Sequence, residues 1–421
     1  MGEDLVKRAE GEKAFLVGVE SARFGEVALD ELAALTESAG GAVVGQTTQK
    51  RRAPDPGTYI GRGKMEEVAA EAEEAGANLV IFDNDLSPGQ LKNLEKGMGR
   101  RVIDRSELIL DIFASRARTD QARLQVELAQ LEYSLPRLRR MWSHLSRIEG
   151  GIGTRGPGEK QLETDRRLVK GRISDLRQRL RRIAERRERE VAGRSGVFTT
   201  ALVGYTNVGK STLLNFLTRG GAETANRLFM TLDTRTRSWA VGNNIRVLLS
   251  DTVGFIRSLP HHLVSSFHAT LEEARQADLL LHVIDATHPE VDRHVAAVHR
   301  VLADLGVTDR PCINVLNKID LLEDPPGIVA LSSRFAETVS VSARTGQGIE
   351  DLERLVREKV LAGYVAWDVE VSAQDGRLRA FLCEHAVTER SEELEDGGVR
   401  LRVLLSRKDL GQAKSIASTG T

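Results

Sequence analysis

Gly204-Tyr205-Thr206-Asn207-Val208-Gly209-Lys210-Ser211-Thr212 is the stretch from which the rest of the chain is read. An apolar run, Phe198 to Val203, precedes it, and Leu213, Leu214, Phe216 and Leu217 follow at helical spacing. Strand, glycine-rich loop and helix in that order is the context a P-loop needs. Gly204 and Gly209 let backbone N–H groups close around phosphate oxygens, with Tyr205, Thr206, Asn207, Val208 and Thr212 completing the cradle. The helix N-terminus adds partial positive charge at the same place. Lys210 is the expected catalytic cation on the β- and γ-phosphates, and Ser211 the expected Mg²⁺ ligand. A glycine loop that only turned the chain would not need every fixed position filled.

Working outward, an apolar strand delivers Leu249-Ser250-Asp251-Thr252-Val253-Gly254. Asp251 is placed to reach the Mg²⁺ sphere, with Thr252 and Val253 in the same loop. Gly254 can offer its backbone N–H to a γ-phosphate because no side chain blocks approach, which gives it a catalytic role. Further on, Cys312 to Leu316 leads into Asn317-Lys318-Ile319-Asp320. A carboxylate at Asp320 accepts from the N1–H and the exocyclic amine of guanine, a donor pair that adenine lacks. Asn317 would brace the loop and the Lys318 stem would lie along the base. Ser342-Ala343-Arg344 would supply a backbone N–H to the guanine O6. The threonine that closes over Mg²⁺ is expected at Thr231, with Thr234 and Thr236 as competitors. Phe255 follows Gly254 where many GTPases carry a water-positioning glutamine, so hydrolysis is expected to be slow until another group is supplied. Asn207 could hold a monovalent cation such as K⁺ or simply brace its loop.

At 421 residues the chain is too long for one ordinary core. Hydrophobic content of 41% and charged content of 29% describe a soluble globular protein, and no apolar run approaches membrane-spanning length. The net charge of −1 gives no bulk attraction to nucleic acid, so any basic surface must be local. Cys312 and Cys383 read as buried thiols without a disulfide framework, and cytoplasmic residence is expected. The histidines, His261, His262, His288 and His294 among them, show no metal-ligand spacing.

Short apolar strands alternate with helical patterns up to Ile103, which argues a small parallel sheet. Gly61-Arg62-Gly63-Lys64 lacks the hydroxyl residue and the spacing of a second nucleotide loop. Leu124, Leu128, Leu131, Leu135 and Leu138, then Val169, Ile173, Leu176 and Leu180, repeat by fours and threes on two separate helices. Between them, Gly150 to Gly158 is too rich in glycine to stay helical. Pro136 should distort the first arm. The second arm is dense in arginine, either a solvated face or a contact to a phosphate backbone. The expected architecture is multidomain α/β: a small parallel α/β N-terminal domain (1–118), an antiparallel helical hairpin with a glycine-rich tip (119–194), a P-loop GTPase domain with a mixed, mostly parallel sheet (195–362), and a small α+β C-terminal domain (363–421).

Three stretches resemble the HflX family of translational GTPases. They are Tyr59 to Lys64, Asp104 to Phe113 continuing into Ala122 to Ala129, and Gly153-Thr154-Arg155-Gly156-Pro157-Gly158-Glu159-Lys160-Gln161-Leu162-Glu163. Phe229-Met230-Thr231-Leu232-Asp233 is similar to that family's switch threonine segment. The resemblance covers nearly the whole chain. It implies a Mg²⁺-dependent GTPase cycling between GTP and GDP, bound to the large ribosomal subunit through rRNA rather than DNA, and splitting stalled or idle ribosomes. No stable membrane insertion is implied, and a monomer is expected. The tip would face RNA, with Arg155, Lys160, Arg166 and Arg167 as contacts. Lys160 stands where the family commonly has threonine, and Arg344 where lysine is common. Some members also bind ATP through the N-terminal domain, for which no residues here speak. Alternatives are a GTPase of ribosome assembly, a guanine-nucleotide switch recruiting a protein through the hairpin, and an ATP-driven RNA remodeller.

Overall fold

The computed structural model describes residues 11–20, 29–138, 157–192, 197–219, 229, 235–242, 245–257, 273–307, 310–322, 325–395 and 397–419. Two compact units result, one built on residues 1–186, 225–233 and 258–269 and the other on 187–224, 234–257 and 270–421.

The first unit opens with a four-stranded parallel sheet in the order β2-β1-β3-β4, formed by β1 (Lys13–Glu20), β2 (Ala42–Lys50), β3 (Leu79–Phe82) and β4 (Arg101–Asp104). The continuous apolar runs of β1 and β3 are buried throughout because helices cover both faces of such a sheet. Those helices are α1 (Asp30–Ser38), α2 (Arg62–Glu74), α3 (Pro88–Met98) and α4 (Arg105–Arg116). Gly61 caps α2, and Lys64 of the Gly-Arg-Gly-Lys stretch pairs with Glu67 one turn on, so that stretch starts a helix. Ser87 and Gln90 cap α3 reciprocally, and Gly99 closes it in the left-handed conformation.

Asp104 fastens this sheet to the helix that follows. Its carboxylate caps α4 at the Glu107 N–H (2.9 Å) and accepts the Tyr133 hydroxyl (2.9 Å) and Arg137 (3.1 Å). Burial raises its pKa, and the Arg137 charge opposes that shift. Tyr133 belongs to α5 (Asp120–Ser134), which stops two residues before Pro136, with a turn over 135–137. The leucine rib of α5 packs on that of the long helix α6 (Pro157–Ala192): Leu128, Leu131, Ile173 and Leu176 are buried together, flanked by Leu124, Leu135, Val169 and Leu180. Arg172 grips Glu127 with two hydrogen bonds (2.7 and 2.9 Å), and Arg177 pairs with Glu132. The two ribbed segments therefore form one packed pair. Residues 150–156 of the glycine-rich tip, Arg155 among them, lie outside the described residues. Pro157 and Gly158, expected in the non-helical tip, instead open α6, since proline suits a first helical turn, and of Lys160 only the helical backbone is described.

The second unit holds a six-stranded sheet in the order β10-β9-β8-β5-β7-β6. Its strands are β5 (Thr199–Gly204), β6 (Arg235–Ala240), β7 (Arg246–Asp251), β8 (Leu279–Asp285), β9 (Cys312–Asn317) and β10 (Thr338–Ser340). Only the β6–β7 pair is antiparallel. Around it stand α7 (Lys210–Leu217), α8 (Val291–Asp304), α9 (Pro325–Ser332) and α10 (Ile349–Leu361).

The same unit ends in an antiparallel sheet, β11-β13-β12, formed by β11 (Val365–Val371), β12 (Val387–Glu393) and β13 (Val399–Leu405). Helices α11 (Gly376–His385) and α12 (Arg407–Thr419) join Val371, Leu378, Leu382, Val403, Leu405 and Ala413 in one core. On the other face, Arg400 and Arg402 of the central strand pair with Glu370 (2.6 Å) and Asp368 (3.8 Å) on one side and Glu392 (3.9 Å) and Glu389 (3.1 Å) on the other.

One expectation fails here. Cys383 is exposed, because Leu378 and Leu382 take the inward face of α11 and the next residue turns about 100° away. Cys312 is partly covered, and burial pushes its thiol pKa up to about 11.

Candidate nucleotide site

The carboxyl ends of β5, β7, β8 and β9 deliver the predicted residues to one edge of the large sheet, where open α/β folds bind ligands. At the end of β5, Gly204 has φ +154° and its missing Cβ would stand 2.3 Å from the Val283 carbonyl of β8. At the start of α7, Gly209 has φ +96°, and a Cβ there would meet Asn317 Nδ2 at 2.3 Å. Both glycines are therefore required by neighbouring elements.

Lys210 is buried and donates to the carbonyls of Gly204 (3.0 Å) and Tyr205 (2.7 Å). Burial lowers its pKa from 10.5 to about 8, with the Asp251 charge acting the other way. Ser211 Oγ donates to Asp251 Oδ2 at 2.6 Å, so the two expected metal ligands meet although forty residues separate them. Two hard oxygens converging beside an ammonium, without nitrogen or sulfur donors, is a donor set that fits Mg²⁺. The Thr252 hydroxyl donates to the Leu202 carbonyl (2.7 Å), which ties the Asp251 loop to β5. Val253 is buried behind it, Asn207 is exposed with φ +61°, and Thr212 is half-buried in the first turn of α7. Thr231, Thr234, His261 and His262 lie outside the described residues, while Thr236 in β6 hydrogen-bonds Ser250 (2.8 Å). Of the segment containing Thr231, Phe229 is described: it is buried, left-handed at φ +56°, and edge-on to Phe113 at 4.7 Å within the first unit.

Asn317 joins the two ends of the site. Its Nδ2 donates to the Val208 carbonyl (2.8 Å), and its Oδ1 accepts the Ala343 N–H (2.9 Å). Ala343 N–H thus holds Asn317, a partner that the sequence did not suggest. Asp320 is exposed at the rim and its Oδ1 accepts the Ser342 hydroxyl (2.7 Å), which fixes the orientation of the carboxylate. The Arg344 N–H approaches Ser342 Oγ at 3.3 Å, and its side chain is exposed. Lys318, left-handed at φ +68°, is held by Asp285 through a 2.6 Å ion pair. Asp285 also accepts the Thr287 hydroxyl and amide, and pattern reading had missed it. A carboxylate ending the strand next to β9 was its only signal.

Tyr205 carries a second surprise. Its buried side chain is spent on the protein: the ring stacks on His294 (3.8 Å, 6°) and the hydroxyl accepts the Arg257 N–H at 2.6 Å. His294 leans in turn on His288 (4.0 Å). Phe255 is buried too, and its backbone bridges the phosphate loop through Phe255 N–H to Gly204 O (3.1 Å) and Thr206 N–H to Phe255 O (2.7 Å).

Four family models match the chain in sequence order: GTP-binding GTPase N-terminal (26–114), GTP-binding GTPase Middle Region (116–194), 50S ribosome-binding GTPase (199–318) and HflX C-terminal domain (328–415). The GTPase HflX of Escherichia coli strain K12 is 45% identical over 397 residues, covering 93% of each chain. The chain belongs to the HflX family of GTPases. Another HflX, from Caldanaerobacter subterraneus subsp. tengcongensis, is 47% identical over 350 residues, covering 82% of this chain and 80% of its own. A crystal structure of a GTP-binding protein from Sulfolobus solfataricus in complex with GDP is 26% identical, covers 83% of this chain and 99% of that one, and has a TM-score of 0.44. As an HflX-family GTPase the chain binds guanine nucleotides and hydrolyses GTP. No helix among the described residues is long and apolar enough to cross a membrane.

Proposed function

We propose that this HflX-family GTPase binds the large ribosomal subunit through α6 and the loop before it. In its GTP state it separates stalled or idle ribosomes, and hydrolysis releases it. The observation that carries the reading is the charge on α6. Arg167, Arg177, Arg179, Arg181, Arg182 and Arg186 are all exposed there, on a chain whose net charge is −1. A neutral molecule with one basic rod is suited to an rRNA groove and is not drawn to polyanions in general. Arg155, Lys160, Arg166 and Arg167 are its nearest contacts to RNA.

Ser211 and Asp251 would hold Mg²⁺, joined by Thr231 when GTP is bound, and the ion would neutralise charge building on the β- and γ-phosphates. The Gly254 N–H would report the γ-phosphate, and Lys210 would bridge it. Asp320, with Asn317 and Lys318, would select guanine, and the exposed amide of Asn207 would take K⁺.

The test is GTP hydrolysis by the full chain with and without purified large subunits, paired with sucrose gradients of mature ribosomes and a nonhydrolysable GTP analogue. Stimulation that falls steeply with salt, together with separated subunits, is expected. Stimulation without separation would move the role to subunit assembly, and a salt-insensitive complex would favour a protein partner.

A further inference from the structure

The loop that begins at Gly254 has lost the side chain that usually handles water. Phe255 is 1% exposed and turned into the core, so at that position the loop can meet a nucleotide only through its backbone. Among the described residues, three hydrogen bonds tie that backbone to residues 204–206 of the phosphate loop. Two are main-chain bonds, between Phe255 and the flanking Gly204 and Thr206, and any residue at 205 would keep them. The third, Arg257 N–H to the Tyr205 hydroxyl at 2.6 Å, needs a hydroxyl at the end of a ring. The ring is fixed in its turn, being 5% exposed and stacked nearly parallel on His294 at 3.8 Å. His288 lies behind His294, and its Nδ1 accepts the Glu290 N–H where α8 begins. A side chain in the phosphate loop thus spans from α8 to the segment after Gly254. Gly254 lies close against the phosphate loop, where a Cβ would meet Thr206 Cγ2 at 2.8 Å and Lys210 Nζ at 3.0 Å.

We propose that Tyr205 is a positioning residue for GTP hydrolysis, its hydroxyl holding the Arg257 amide and so keeping the Gly254 backbone in register with the phosphates. The inference rests on the γ-phosphate role given to Gly254 above. Its consequence is a split between turnover and binding. The hydroxyl restrains the loop that senses the γ-phosphate, whereas the Tyr205 contact to Lys210 in the phosphate cradle runs through its main-chain carbonyl (2.7 Å) and survives loss of the hydroxyl.

Tyr205→Phe in the full chain removes the hydroxyl and keeps the stacked ring. The maximal rate of GTP hydrolysis, measured with and without large subunits, should fall about tenfold, as expected for one lost hydrogen bond made to a restrained amide. KM for GTP and the affinity for a fluorescent GDP analogue should stay within about twofold. His294→Ala, which frees the ring and leaves the hydroxyl, should lower the same rate by less. Turnover of Tyr205→Phe equal to that of the unaltered protein would overturn the proposal, as would a parallel loss of GDP affinity. Gly254→Ala separates the two layers: normal hydrolysis by that variant would remove the γ-phosphate role of Gly254 itself, whatever Tyr205→Phe does.

Discussion

Replacing Asn317 with alanine should uncouple the base end of the site from the phosphate end. The side chain is 2% exposed and makes two buried hydrogen bonds, to the Val208 carbonyl at 2.8 Å and from the Ala343 N–H at 2.9 Å. Each group left without its partner costs about 1–3 kcal/mol, so the pair is worth about 2–4 kcal/mol after partial relaxation. If most of that appears in binding, the GDP dissociation constant rises about 30- to 1000-fold. Titration with a fluorescent GDP analogue at fixed Mg²⁺ and salt measures it, and melting of the nucleotide-free protein records the share lost from stability. Gly209→Ala makes the reasoning sharper. Its methyl would lie 2.3 Å from Asn317 Nδ2, and alanine is also strained at φ +96°. In the Asn317→Ala background the collision disappears and only the left-handed strain of about 1–2 kcal/mol remains. The double variant should therefore bind GDP better than the two single losses predict, with a coupling of about 1 kcal/mol or more. Strict additivity, or an Asn317→Ala protein within threefold of the parent, would refute the idea that this amide is wedged between the loops.

Other outcomes follow from the same geometry. Lys210 has a folded pKa of about 8 against 10.5 when free, so between these values the unfolded chain binds more protons and stability rises with pH. Melts of the nucleotide-free protein should show the advantage of Lys210→Met over the parent shrinking from pH 8 to pH 10.5, and a constant gap would contradict it. Phe255→Gln should not restore a fast intrinsic rate, because position 255 is 1% exposed; an amide there is left buried at a cost of about 1–3 kcal/mol, read as a lower melting temperature, and faster turnover would count against this. Leu176→Ala, at a fully buried rib of α6, should cost about 2–5 kcal/mol in denaturant unfolding, while Leu168→Ala at a 57% exposed position should be nearly neutral; equal effects would mean that the ribs do not hold the helices together.

The parts legible in the sequence were those where chemistry forces both residue type and spacing. A loop that wraps phosphate needs Gly204, Gly209, Lys210 and Ser211 in one short run, and a base reader needs Asn317 and Asp320 together at a strand end. The alternation of apolar strands with helices up to Ile103 likewise announced the four-stranded parallel sheet. What escaped were partners set by tertiary placement. Asn317 reaches Val208 across 109 residues of chain, and Lys318 reaches Asp285 across 33, distances over which no local pattern extends. Helix α4 was missed because Leu108, Ile109, Leu110, Ile112 and Phe113 are all buried, so its apolar run shows no helical stripe. Cys383 misled for a related reason: its apolar neighbours Leu382 and Phe381 said nothing of which way one small residue would turn.

The C-terminal sheet carries a consequence for where RNA can settle. Its two central arginines are hemmed in by carboxylates on both flanking strands, so its surface is a checkerboard of alternating sign. A nucleic-acid backbone lured by one square is pushed off by the next. If α6 grips rRNA as proposed, the tail would be its non-stick counterpart.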